Sequence, residues 1–175
     1  MIKKIISYVH MRVDPIGYAR KIGVKIGKDC RIGIVNWGSE PYLIEIGDEV
    51  LLSSQVTFIN HDGSTWTFRD KPEYMDVTKF GQIKIGNRCF VGWGAILLPG
   101  AEMGNNSILA AGAVLSKKMP SGEIWGGVPA KYIMTVSEFA EKCKNGKGNV
   151  IIGSGDKRKT LETFFSEEKY NGTKI

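Results

Sequence analysis

Hydrophobic positions recur every six residues between Ile85 and Pro120: Ile85, Val91, Leu97, Met103, Leu109 and Leu115 are aliphatic and evenly spaced. Four positions after each of the first five come the small residues Cys89, Ala95, Ala101, Ser107 and Ala113. Gly86, Gly92, Gly104 or Ala110 follows directly behind the aliphatic residue, with Leu98 and Ser116 as exceptions. A period of six matches neither a helix nor a simple alternating strand. It matches a short strand plus a tight corner, repeated as a solenoid. Three units then make one coil of a triangular prism, with stacked coils paired as parallel strands about 4.8 Å apart. The spacing predicts that each aliphatic residue points inward onto its equivalent in the next coil: Ile85 on Met103, Val91 on Leu109, Leu97 on Leu115. The small residues would face the corners, where glycine relieves the backbone.

The same phase is present earlier in the chain. Ile26 and Ile32 begin it, each followed by glycine, and a loop at Asn36–Tyr42 shifts it by two residues. Ile46, Leu52 and Phe58 resume it, and it is then lost until Ile85. The excursion between holds His61-Asp62-Gly63, Trp66, Phe68 and the charged turn Arg69-Asp70-Lys71-Pro72. A long polar departure from a regular solenoid points to function.

The ends read as helical. Ile2, Ile5, Ile6 and Val9 follow the i, i+3, i+4, i+7 spacing of an amphipathic helix over 2–11. Asp14-Pro15 reads as an N-cap with proline at N1, opening a second short helix that stops near Gly23. Thr135-x-x-Glu138 resembles a capping box leading into a stripe of Val136, Phe139, Ala140 and Cys143. Val150–Ile152 is a short apolar run, and Leu161, Phe164 and Phe165 suggest a last helix. The division expected is a helical segment over 1–24, a solenoid over 25–134 with a loop over 60–82, and a helical appendage over 135–175.

Composition narrows the class. The 22 glycines among 175 residues are nearly twice the usual share and cluster in the repeats. Cys30, Cys89 and Cys143 are far apart, so neither a zinc site nor a disulfide framework is expected, and a reducing, cytoplasmic setting is. No apolar run approaches a membrane span, and the start lacks the long apolar core of a signal peptide. Residues 1–31 hold eight Lys/Arg against two Asp, so the formal charge of +6 is concentrated there. That is a solvated face or a weak contact with an anionic membrane surface. Nothing indicates nucleic acid binding.

The run Ile85-Gly-Asn-Arg-Cys-Phe-Val-Gly-Trp-Gly-Ala-Ile-Leu-Leu-Pro-Gly-Ala-Glu-Met-Gly, with Ala111-Gly112-Ala113-Val114 and Gly127-Val128-Pro129-Ala130-Lys131, resembles the hexapeptide-repeat acyltransferases. It is most similar to their maltose/galactoside and polysaccharide O-acetyltransferase branch, with the xenobiotic acetyltransferases nearby. The resemblance covers about residues 15–134. It implies an all-β solenoid that is a left-handed parallel β-helix, a homotrimer, and acetyl-CoA bound between neighbouring subunits.

Acetyl transfer to a hydroxyl needs a base, donors for the tetrahedral oxyanion, and alignment of the two substrates. His61 stands where the repeat breaks, and the family has its catalytic histidine in this kind of segment. His10 lies on the first helix and reads as a surface or packing residue. Asn60, Asp62 and Trp66 are candidates for acceptor contacts; Asp62, Asn60 or an acid from elsewhere would orient the imidazole. On the donor side the resemblance carries over Gly92 and Trp93 beside the pantetheine, and Ala111-Gly112 with backbone amides at the thioester. It also places Ser116 and Lys117 near the pantetheine and phosphates, and Lys131 near the adenosine phosphates. Ser107 fits a structural corner position. Residues 149–160 mimic a P-loop, but Arg158 stands where its second glycine is required.

The function expected is an acetyl-CoA-dependent O-acetyltransferase of a sugar hydroxyl in surface-polysaccharide assembly, with no metal. The alternatives are N-acetylation of an amino sugar, O-acetylation of an antibiotic, and a non-enzymatic binding module. A zinc-dependent carbonic anhydrase on a similar scaffold would need several histidines, and the solenoid has one.

Overall fold

The computed structural model describes residues 9–145, 150 and 154–166. Contacts divide the chain into two compact units, Met1–Val136 and Ser137–Ile175.

In the first unit, residues 9–13 are helical, and the rest of the helix expected over 2–11 lies outside the described residues. Helix α1 (Pro15–Lys21) starts as the Asp14-Pro15 pair predicts, the Asp14 carboxylate accepting from the Gly17 amide. Ala19 on this helix is fully buried in the same core as the strands, so α1 closes the first coil rather than standing as a separate segment.

Five coils follow. The first contains β1 (Lys25–Ile26) and β2 (Arg31–Ile32), and the second β3 (Ile44–Ile46), β4 (Leu51–Leu52) and β5 (Thr57–Phe58). The excursion that interrupts them carries a short antiparallel pair, β6 (His61–Asp62) and β7 (Lys79–Phe80). The third coil has β8 (Ile83–Ile85), β9 (Phe90–Val91) and β10 (Ile96–Leu97). The fourth has β11 (Glu102–Met103), β12 (Ile108–Leu109) and β13 (Val114–Leu115), and the fifth β14 (Lys118–Met119) and β15 (Glu123–Gly126). Successive strands join three different sheets in turn, with neighbours in each sheet parallel from coil to coil. The last strand, β16 (Lys131–Thr135), turns back antiparallel on β15, which the six-residue period gave no reason to expect.

The predicted stacking is present in all three sheets. Ile85 pairs with Met103, Val91 with Leu109 and Leu97 with Leu115. These six are buried, as are the small residues Cys89, Ala95, Ala101, Ser107 and Ala113. Each such aliphatic side chain contributes about 1.5–3 kcal/mol of burial. Trp37 takes the inward place of the missing strand in the first coil, its ring stacked on Phe58 at 5.3 Å.

Glycine behaves differently from the sequence expectation. The glycines behind the aliphatic residues relieve close approach between coils, not backbone strain: a Cβ on Gly86 would stand 2.9 Å from the Asn105 amide nitrogen. Left-handed corners fall on Gly94 and Gly112, but also on Glu49, Arg88 and Asn106. One corner carries a side-chain ladder as well. Asn87 Oδ1 accepts from the Asp48 amide, Asn105 Oδ1 from Asn87 and Ser121 Oγ from Asn105.

The three outer faces differ in chemistry. On the first sheet, Lys25, Glu45, Lys84, Glu102 and Lys118 stand side by side in alternating sign. On the second, Leu51, Phe90 and Ile108 are neighbours, and on the third Thr57, Ile96 and Val114.

Helix α2 (Val136–Asn145), all but its first residue in the second unit, carries the predicted stripe, and α3 (Lys157–Ser166) holds Phe164 and Phe165 edge to face at 5.1 Å. Ile151 and Ile152 lie outside the described residues. No described helix is long and apolar enough to cross a membrane.

Candidate active site

The excursion leaves the prism at the corner between the third and first sheets and returns to the same corner, where the Gly81 amide donates to the Asn60 carbonyl. His61 is therefore fixed at the base of the loop, one residue past the core, with its side chain 44% exposed. Its imidazole has a partner that the residues around it do not reveal. Nδ1 lies 3.0 Å from Glu40 Oε2, and the Glu40 side chain is only 15% exposed. Ser39 Oγ is 3.3 Å from the same nitrogen. Both come from the Asn36–Tyr42 loop that shifted the hydrophobic phase, one coil away. A carboxylate that accepts a hydrogen bond from Nδ1–H leaves the lone pair on Nε2, which is the tautomer a general base requires.

Asp62 does not orient the ring. Its carboxylate caps the 3-10 helix Gly63–Phe68 at the Ser64 amide and pairs with Lys79 Nζ at 3.0 Å. Hydrogen bonding from Ser64, then Lys79, holds its pKa down at about 2. Asn60 is also placed otherwise than an acceptor contact requires. It is 1% exposed, and neither atom of its carboxamide has a partner, so the side chain lies beneath the surface. Trp66 is 78% exposed on the 3-10 helix that begins directly behind His61.

The donor-side residues gather at the opposite edge of the third sheet. Gly92-Trp93-Gly94 and Ala111-Gly112 stack at the corner entering that sheet, in adjacent coils. The main chains touch there, because a Cβ on Gly92 would collide with the Ala111 amide. A Cβ on Gly94 or Gly112 would meet nothing, so the corner offers bare backbone to an elongated ligand. One expectation needs correcting. The Gly112 amide donates to the Trp93 carbonyl at 2.8 Å, so it is not available to a ligand. The Ala111 amide makes no such bond among the described residues.

Ser116 and Lys117 lie at the other edge, on the exposed corner leaving the sheet. Lys117 Nζ sits 5.1 Å over the ring of Trp125, the inward residue stacked on Leu109, and Trp125 Nε1 donates to Glu123 at 2.6 Å. Lys131 is exposed at the start of β16, behind the Gly127–Ala130 turn whose last amide donates to Val114. One chain therefore does not bring His61 together with Trp93 and Ala111; a third-sheet width separates them. Among the described residues no three His, Cys, Asp or Glu side chains converge as a metal set.

Comparison with known proteins bears on the family and the fold. A family model described as the hexapeptide repeat of succinyl-transferase matches residues 82–117. Protein CapG of Staphylococcus aureus is 41% identical over 156 residues, spanning 87% of this chain and 90% of its own. Galactoside O-acetyltransferase of Escherichia coli is 25% identical over 129 residues, 71% of this chain and 60% of its own. Among solved structures, a hexapeptide-repeat-containing acetyltransferase of Vibrio cholerae complexed with acetyl coenzyme A shares the fold. It matches with a TM-score of 0.54 at 18% identity, covering 74% of this chain and 83% of that one.

Proposed function

The chain belongs to the hexapeptide-repeat acyltransferase family, a family of acetyltransferases, and on that premise we propose that it moves the acetyl group of acetyl-CoA onto a sugar hydroxyl. The reading places it in the cytoplasm, in assembly of a surface polysaccharide. It takes the stacked coils as the left-handed parallel β-helix of the family. The single observation that carries the chemistry is the His61–Glu40 pair at the root of the loop. Support for a sugar acceptor comes from the relative named galactoside O-acetyltransferase.

In this mechanism Glu40 holds the Nδ1 proton of His61, and Nε2 takes the proton of the acceptor hydroxyl as its oxygen attacks the thioester carbonyl. The Ala111 amide is the donor positioned for the oxyanion of the tetrahedral intermediate. Collapse of that intermediate breaks the carbon–sulfur bond, and His61 returns its proton to the departing thiolate. The products are the acetyl ester and free CoA. Gly92, Trp93, Gly112, Ser116, Lys117 and Lys131 line the path of the donor, and Asp62 and Trp66 the acceptor side.

Such a site is completed by a second copy, and we propose a homotrimer. The second and third faces are the apolar ones, with Phe90 still 38% exposed in this single chain, whereas the first face is charged. Burying the apolar faces between subunits would set His61 of one against the donor corner of its neighbour. The test is thiol release from acetyl-CoA in the presence of saccharide acceptors. His61→Ala should cost about 10²–10⁴ in rate, and full activity in that variant would overturn the mechanism.

A further inference from the structure

The loop behind His61 contains a hollow of which the proposed chemistry uses only Trp66. It has a volume of about 520 Å³ and is lined by Trp66, Arg69, Asp70 and Met75. The hollow is built, not merely open. Arg69 Nε and Nη2 both donate to the Val77 carbonyl, at 3.1 and 2.9 Å, and Nη2 also reaches Thr65 Oγ1 at 3.2 Å. Thr65 is buried, so the guanidinium is clamped between the 3-10 helix and the segment at Val77 that leads into β7. Its Nη1 edge and the Asp70 carboxylate make no bond among the described residues. Trp66 shows an exposed ring to the same space.

We infer that this hollow is a subsite for a neutral sugar ring of the acceptor, an inference that rests on the sugar O-acetyltransferase reading. The indole face suits the apolar C–H face of a pyranose, as aromatic rings suit flat, part-apolar ligands. A free carboxylate beside a fixed guanidinium edge accepts from and donates to neighbouring hydroxyls, and charge-assisted bonds are the strong ones. A phosphate is disfavoured, because Asp70 would repel it. Trp66 is five residues from His61, so the hollow lies within about 17 Å of the base by chain reach. An acceptor of more than one sugar unit can therefore occupy both, with the hollow selecting the unit that is not acetylated.

The test uses the full chain without acetyl-CoA on an array of neutral oligosaccharides, with calorimetry on the best binder and acetyl transfer measured in parallel. Trp66→Ala and Asp70→Asn should each weaken saccharide binding about tenfold or more, the loss of one strong contact. Asp70 is exposed and the asparagine isosteric, so folding is not at stake. Unchanged affinity in both variants overturns the subsite, even where sugar acetylation stands. No binding by the unaltered protein, or displacement by inorganic phosphate at equal concentration, overturns it as well. Binding that the two variants weaken, in a protein that acetylates no sugar, sustains the subsite and refutes the transferase reading instead.

Discussion

Glu40→Gln separates charge from shape at the reacting centre. The carboxylate is 3.0 Å from His61 Nδ1 and mostly shielded from water, so the bond is worth more than an exposed pair. Glutamine keeps the length of the side chain and a carbonyl oxygen that accepts from Nδ1, so the tautomer persists. What disappears is the charge that stabilises the imidazolium formed when the acceptor proton moves. A hydrogen bond to a charged group is worth about 1.5–3 kcal/mol against about 0.5–1.5 for a neutral one, so about 1–1.5 kcal/mol is lost and kcat should fall about 5- to 12-fold. KM for acetyl-CoA should hold, because the Glu40 charge acts on the imidazolium formed during transfer and not on the bound donor. Thiol release measured across acetyl-CoA concentrations at saturating acceptor gives both numbers. Ser39 Oγ sits 3.3 Å from the same nitrogen and offers a substitute acceptor, so Ser39→Ala with Glu40→Gln should lose more than either alone. If Glu40→Gln keeps kcat within about twofold, the Glu40 charge does not stabilise the imidazolium and that electrostatic role is refuted.

Four further outcomes follow from the same fold. The Asp62 carboxyl is held down at about 2, from 3.8. It therefore stabilises the loop fully above about pH 4, and that contribution disappears as pH falls toward 2. Hydrogen exchange at the Ser64 amide should report this loss, and Asp62→Asn should abolish the pH dependence. Gly104→Ala should lower the unfolding midpoint measurably in a thermal melt, because its Cβ would collide with the Ser121 amide and move one coil against the next. Cys89 should resist thiol reagents until the protein unfolds, since burial pushes its pKa up and Sγ donates to the Gly104 carbonyl at 3.1 Å. Cys89→Ser should cost under about 1.5 kcal/mol by denaturant titration, because Ser107 makes the equivalent bonds one coil on.

The prism was legible because its geometry is local and repeated. Six residues bring the chain back to the same place, so Leu97 and Leu115 announce their contact by spacing alone. Glu40 left no such signal. It stands 21 positions before His61, inside the loop that broke the phase, and only the stacking of coils brings the two together. The phase shift itself was the clue, since a departure from the repeat needs a reason. Asp62 was misleading for the opposite cause: it adjoins His61 in sequence, but alternate residues of a strand face opposite ways, and Lys79 across the antiparallel pair claims it. The engaged Gly112 amide was equally hidden, because a hydrogen bond between coils depends on register and not on residue type.

The alternating charges of the first face carry a consequence for how this molecule can change in length. A stack of near-identical coils is, by its backbone alone, free to gain or lose one. Here the order Lys25, Glu45, Lys84, Glu102, Lys118 disfavours the single step. Removing the coil that carries Lys84 would set Glu45 against Glu102, and like charges directly opposite are destabilising. Removing two adjacent coils would restore the alternation. The face therefore counts coils by parity, and growth or shortening of this scaffold is easiest in pairs.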